Sequence, residues 1–325
     1  MFHRFEFRMK KLLLSGVLIL IAVVVMAQEK TVPIKYGDME HWTVRYIKES
    51  RLLGGKTKTL YVPAPTDTLY KNAAFDFRST CWGVSNAWAA PMGIDKGVTT
   101  TQPEQRGSGT CARLDTRLET VKVLGMIHLE VCIVGTLFLG RNIEPVTNAN
   151  DPYGAVDMGI PFTEKPKAVI LDLKMRINPE QRVLKATGFA RKKWIVGHDE
   201  PEVYVFLEKR WEDTKGNIYA KRIGTARHRF SQSIPEWHNN YRVDIHYGDI
   251  TGRADFKKYQ GLFPDGGQFK AMNRKGKIVP IQEIGWGSPD ETPTHIILVI
   301  TAGCYPAFHG YPGNAIWVDN VRFLY

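Results

Sequence analysis

The 325-residue chain predicts an all-β protein, an antiparallel β-sandwich of the jelly-roll kind with long loops. Three observations predict it. Strand-like apolar runs recur between clusters of Gly, Pro, Asn and Asp. Several of these runs alternate at period two. No long amphipathic helix, internal repeat or low-complexity segment interrupts them.

In chain order the runs are HWTVRYIKES (41–50), KTLYVPAP (58–65), GTCARLDTR (109–117), HLEVCIVGTLFLG (128–140), PKAVILDLKMRI (166–177), EVYVFLEKRW (202–211), NIYAKRIG (217–224), NYRVDIHYG (240–248), THIILVITAG (294–303) and NAIWVDNVRFLY (314–325). In the sixth run, Val203, Val205 and Leu207 share one face, and Tyr204, Phe206, Glu208 and Arg210 the other. WEDTKGNIY (211–219) has the turn chemistry of a hairpin joining two runs. The connections 70–108, 141–165, 178–201 and 249–293 exceed what a bare scaffold needs, so they carry function or small elements of their own. Residues 66–80 are the best candidate for an internal boundary. They divide an N-terminal segment, 28–74, read as the first strands of the sandwich, from a domain over 75–325.

Residues 1–27 read as a secretory signal peptide. Arg8, Lys10 and Lys11 form a basic start, Leu12–Val25 is apolar, and Val25-Met26-Ala27 is a small-x-small cleavage site. The run is short for a membrane span; an uncleaved anchor is the alternative reading. The expected location is the periplasm, the outer membrane or the cell exterior. Cleavage before Gln28 leaves 40 basic against 32 acidic residues, a net charge of +8. The charges are interleaved rather than gathered in a basic stripe, which argues against a nucleic-acid binder. RKKW (191–194) and KRIGTARHR (221–229) read as solvated strand faces and loops, with contact to an acidic polysaccharide or a membrane surface as the alternative. Export permits disulfides, and Cys81, Cys111, Cys132 and Cys304 allow three full pairings. Their spacing lacks any CxxC and argues against zinc. Cys111 and Cys132 lie in apolar stretches and suit buried thiols equally well.

Five segments carry a resemblance. GIPFTEKPKAVILDLK (159–174) looks like the G-x-PF-x-x-(K/R)P segment of the putative carbohydrate metabolism domain (PCMD) family, a jelly-roll family of exported Bacteroidetes proteins. GTLFLG (135–140) resembles the segment before it, CWGVSNAW (81–88) and GTCARLDT (109–116) the opening strands, and FHGYPGNAIWVDNV (308–321) the closing signature. Together they span about residues 75–325. Tyr311-Pro312, Asn314 and Asp172 depart from the family pattern. The resemblance implies a galactose-binding-like sandwich and a link to glycans, and no particular reaction. KYGDMEHW (35–42) is similar to the N-G-x-F-E-x-W start of many jelly-roll carbohydrate-binding modules. That likeness implies first and last strands side by side, with Glu40 and Asp319 sharing a structural calcium and Asp38 as a weaker ligand. The alternative for Asp319 is a hydrogen bond to a neighbouring loop.

Sugar recognition needs flat aromatic faces and polar groups that grip hydroxyls. Trp82 and Trp88 flank a loop with Asn86, and Tyr305, Phe308, His309 and Tyr311 cluster before the last strand. Trp194, Trp237 and Trp286 are also loop-placed by pattern, whereas Trp42, Trp211 and Trp317 read as core. Trp82, Trp88, Tyr305 and Tyr311 are the expected ligand-binding residues. A glycosidase would need two facing carboxylates. Glu208 shares a strand face with Tyr204 and Phe206, Asp172 with Lys174 and Arg176, and Asp244 lies between Arg242 and His246. Glu208 and Asp172 are the candidate catalytic acids. GxSxG, HExxH and P-loop motifs are absent. The expected function is carbohydrate binding at the cell envelope. A glycoside hydrolase and a non-catalytic structural or adhesion component are the alternatives.

Overall fold

A computed structural model describes residues 29–123, 127–148, 151–188 and 190–325; the expected signal peptide lies outside them. The chain is almost wholly β and forms the expected antiparallel sandwich. The smaller sheet runs in the order Ile234–Asp244, Ala168–Arg176, Ala315–Leu324, Gly109–Asp115, Thr101–Arg106. Thr31–Pro33 also pairs antiparallel with the end of Ala315–Leu324, so early and late strands do lie side by side. The larger sheet runs Val156–Met158, Thr136–Asn142, His295–Thr301, Glu202–Glu212, Ile218–Arg229, Ile278–Trp286, Lys270–Met272. Its pairs are antiparallel except Ile218–Arg229 with Ile278–Trp286. From 28–74 only Thr31–Pro33 joins a main sheet. Trp42–Lys48, Thr57–Pro63 and Asp67–Leu69 form a separate three-stranded sheet packed on the same core.

The core follows from the period-two pattern. Val169, Leu171, Leu173, Met175, Ile316 and Val318 of the smaller sheet meet Val203, Val205, Leu207, Ile296, Leu298 and Ile300 of the larger. Tyr204 and Phe206 point to the opposite face, as the alternation requires, yet that face is not open. The 249–293 connection folds over it, and Phe263, Phe269, Ala271 and Ile281 bury both rings in a second core. Arg222 and Glu283 tie this cover down. Arg222 Nε donates to Glu283 Oε1 at 2.6 Å and a second nitrogen reaches Oε2. A terminal nitrogen of Arg222 also donates to the carbonyls of Gln260 and Gly261, and the guanidinium stacks 3.8 Å from the Phe206 ring centre. KRIGTARHR is therefore not a solvated face, since Arg222 and Arg227 are buried.

Two bulges break the smaller sheet beside Asp172. Ile170 pairs with Arg322 but Asp172 with Asp319, so the closing strand holds an extra residue there, with Asn320 at φ 52°. Leu171 pairs with Tyr241 but Leu173 with His238, with Asn240 at φ 58°. Asparagine tolerates this left-handed region better than most residues, and such bulges re-aim the side chains around them. A wider slip follows, with Met175 opposite Ile234.

All four cysteines are free thiols. Cys111 and Cys132 are buried in separate small clusters, so none of the three pairings is made.

Removing one partner of a buried ion pair strands the other charge. Glu283→Ala is therefore expected to cost about 3–5 kcal/mol in urea unfolding. Asp255→Ala, which removes an exposed, solvent-screened pair with Arg253, should leave the urea midpoint nearly unchanged. Equal costs would contradict the anchoring role of Glu283.

Candidate functional site

With one face of the larger sheet roofed over, the outward face of the smaller sheet is where aromatic and charged side chains meet solvent. Trp237 on Ile234–Asp244, Lys174 on Ala168–Arg176 and Trp317 on the closing strand form a row. The Lys174 ammonium lies 4.7 Å from the Trp317 ring centre and 5.5 Å from that of Trp237. Arg106 stacks 3.9 Å over Trp237, and Arg113 and Arg176 lie 5.2 and 5.9 Å from Trp317. These are cation–π distances. Trp317 Nε1 donates to Glu104 Oε1 at 2.7 Å, which fixes the indole plane. A cavity of about 320 Å³ opens beside Trp317, lined by Lys174, Met175, Arg176, Ser233 and Pro235. It sits where the Ile234–Asp244 strand slips against Met175.

Asp172 and Asp319 lie under one end of the row. One nitrogen of Arg106 donates to both, at 2.9 Å to Asp172 and 2.6 Å to Asp319. Asp172 also accepts from the Asn240 N–H and the Asn320 side-chain amide, at 2.8 and 2.9 Å. Burial opposes its charge, but these donors together hold its pKa below the ordinary value. For Asp319 burial prevails over Arg106 and the Asn320 N–H, and its pKa is pushed up.

This arrangement bears on the expected calcium. Asp319 faces Arg106, and both oxygens of Glu40 accept the Thr110 N–H at 3.1 and 3.2 Å. A guanidinium supplies the positive charge that the shared ion was to supply. The oxygens of Glu40 and Asp319 thus accept from different partners, the Thr110 N–H and Arg106. Among the described residues no cluster of three or more His, Cys, Asp or Glu has metal-binding geometry.

The other expected site residues scatter. Glu208 is 1% exposed beneath the 249–293 cover, bonded to Arg210 at 2.5 Å, so it does not line a groove. Trp82 is 0% exposed and donates to the Lys35 carbonyl at 2.8 Å, which makes it core rather than a platform. Trp88 donates to Asp95 and lines a second cavity of about 250 Å³ with Phe75, Phe77, Arg141 and Glu144. Tyr311 lies at the loop rim, 5.2 Å from the ring of Trp194, which is 43% exposed and stacked by Arg182 at 4.4 Å. Tyr311 also donates to Glu180. The Tyr305 hydroxyl packs against Gly197, on the same rim. Trp211, expected in the core, is exposed and stacks on Tyr219. Trp317, read as core, is 8% exposed and packs with Cys111 and Ala315, whereas Trp237, read as loop, lies half-buried on the Ile234–Asp244 strand against it. A signal for them was present: Lys174 and Arg176 share a strand face at period two.

Asp199 holds the rim loop together. It is buried and accepts the N–H groups of Cys304 and Tyr311 at 3.1 and 2.8 Å, while the Asn314 amide donates to its carbonyl. Burial raises its pKa to about 6.

No family model and no curated protein matches the sequence, so the PCMD likeness rests on its motifs alone. Among solved structures, the chain is similar to one described as a putative glycoside hydrolase from Bacteroides thetaiotaomicron, with 18% identity and a TM-score of 0.49 over 87% of this chain and 71% of that one. A second, described as a putative glycoside hydrolase from Bacteroides vulgatus, shows 14% identity and a TM-score of 0.42 over 91% of this chain and 94% of that one. Both likenesses concern a β-rich chain path.

Asp199 binds its proton more tightly folded than unfolded, so its contribution is fully present below the ordinary value of 3.8 and is lost as pH rises through about 6. A carboxyl raised from 3.8 to about 6 contributes about 3 kcal/mol at low pH. Urea unfolding of the wild type should lose that increment between pH 4 and pH 7, and Asp199→Asn should flatten the profile. Parallel profiles would contradict the assignment.

Proposed function

We propose that the protein is an exported carbohydrate-binding protein that holds a glycan on the outward face of its smaller sheet. The observation that supports this most is half-buried Trp237 beside Lys174, next to an open cavity that the buried Trp317 borders. Pyranose C–H groups stack on indole rings, and charged side chains grip hydroxyls in pairs. On the larger sheet Tyr204 and Phe206 are consumed by the chain's own cover, and exposed Trp211 is stacked on Tyr219 away from both cavities. Export is supported by the basic-apolar-small pattern of residues 1–27. The PCMD motifs point to the same glycan-related role.

Hydrolysis is the second reading, favoured by one observation. Asp172 and Asp319 share one Arg106 nitrogen, so their oxygens are no farther apart than 2.9 and 2.6 Å laid end to end. That bound meets the roughly 5–5.5 Å carboxyl separation of retaining glycosidases. Their pKa shifts run in opposite directions, as an acid and a nucleophile require. Binding is preferred because Arg106 occupies the space between them and both carboxylates are nearly enclosed.

Retention on a polysaccharide panel, read together with released reducing sugar, separates the two. The expected result is retention without release, weakened about tenfold or more in Trp237→Ala with the near-ultraviolet circular dichroism unchanged. Release that disappears in Asp319→Asn would establish the hydrolase. Neither retention on nor sugar release from any panel member would overturn both readings.

A further inference from the structure

The two cavities differ in how their charges are matched. In the Trp88 cavity each charged lining side chain has a partner of opposite sign: Asp76 with Arg78, Arg141 with Asp157, and Glu144 with Arg45. In the cavity on the smaller sheet the charged lining residues are Lys174 and Arg176. Among the described residues neither has a carboxylate within ion-pair distance.

The acids nearby are already committed. Glu104 accepts from Arg113 and Trp317, Asp115 from Arg113 and Arg117, and Asp172 and Asp319 from Arg106. Lys174 Nζ makes no hydrogen bond within the described protein and rests between the two indoles. Arg176 gives Nε to the Gly313 carbonyl at 3.1 Å, which orients the guanidinium, and its terminal nitrogens have no partner among the described residues. Lys174 is half-buried and Arg176 exposed, so one wall of the cavity presents two cations with no protein counter-charge to an incoming anion. The volume of about 320 Å³ lies at the small end of ligand sites, near 300 Å³.

We infer that this cavity binds an acidic sugar residue of a polysaccharide, with a uronate carboxylate or a sulfate ester placed between Lys174 and Arg176 and the ring beside Trp317. The inference rests on the glycan-binding reading and adds the substrate class. It separates this face from sites for neutral glycans, where unpaired cations would only lose hydration.

The test uses matched probes. Polygalacturonate and its fully methyl-esterified form share a backbone and differ in charge; chondroitin sulfate and unsulfated chondroitin differ in the sulfate alone. The expected result is binding to at least one charged probe that falls about tenfold or more on esterification or desulfation, and that weakens between 0.1 and 1 M salt as the screening length drops from about 10 to 3 Å. Lys174→Gln/Arg176→Gln should lose binding by a similar factor. Lys257→Gln/Lys258→Gln, with the same change in net charge at an exposed loop, should keep it. Charge-independent binding, or neutral glycans bound and both acidic probes refused, would overturn this inference and leave the glycan reading standing. Acidic probes bound equally by the Lys174/Arg176 variant would overturn the site assignment. No binding to any glycan, charged or neutral, would overturn both.

Discussion

The layout of the molecule turns on one buried ion pair. Arg222 projects from the larger sheet into what would otherwise be an open aromatic face, and a buried guanidinium needs a counter-charge and acceptors. Glu283 and the carbonyls of Gln260 and Gly261 supply them, all from the 249–293 connection. The segment that satisfies Arg222 also brings Phe263 and Phe269 onto Tyr204 and Phe206. One face of the sandwich is thereby used for folding. The opposite sheet and the loop rim keep their side chains toward solvent.

On that sheet a carboxylate organises the backbone around it. Asp172 takes donors from three strands: Arg106, Asn240 and Asn320. Two of the donors are asparagines at left-handed bulges, one on each flanking strand. The bulges cost ladder hydrogen bonds and gain a fixed acceptor cluster beneath the tryptophan row. Asp319 is drawn into the same cluster because the extra residue in its strand sets it opposite Asp172. The resulting Asp–Arg–Asp arrangement keeps Arg106 in place over Trp237.

Much of this fold was legible in the sequence and part of the site was not. The runs at 166–177, 202–211 and 294–303 read correctly because hydrophobic alternation reports which residues face a shared core, and Val203, Val205 and Leu207 do so. The same alternation shows that Tyr204, Phe206 and Glu208 face the other way. It cannot show that a segment sixty residues later lies on top of them, since that depends on long-range packing. Trp82 misled for a similar reason: an aromatic in a Gly-flanked segment looks exposed until the Lys35 carbonyl closes over its N–H. The run 128–140 divides into Ile127–Ile133 and Thr136–Asn142, because Gly135 lies against the backbone at Leu114–Asp115. The Asn239-Asn240 and Asp319-Asn320 pairs were the visible trace of the bulges. Their meaning emerges only when both are seen to flank one aspartate.

The position of the closing strand has a temporal side. Ala315–Leu324 sits between Ala168–Arg176 and Gly109–Asp115, with Thr31–Pro33 against its end. Within its sheet it is the last strand to be synthesised, yet its neighbours meet only through it. Until it arrives the smaller sheet lacks its centre, and the core of the sandwich has half its lid. Ordering this sheet therefore waits on contacts between residues hundreds of positions apart, the slowest kind to form. A chain built this way stays open while it is being made and closes only when its last strand is available.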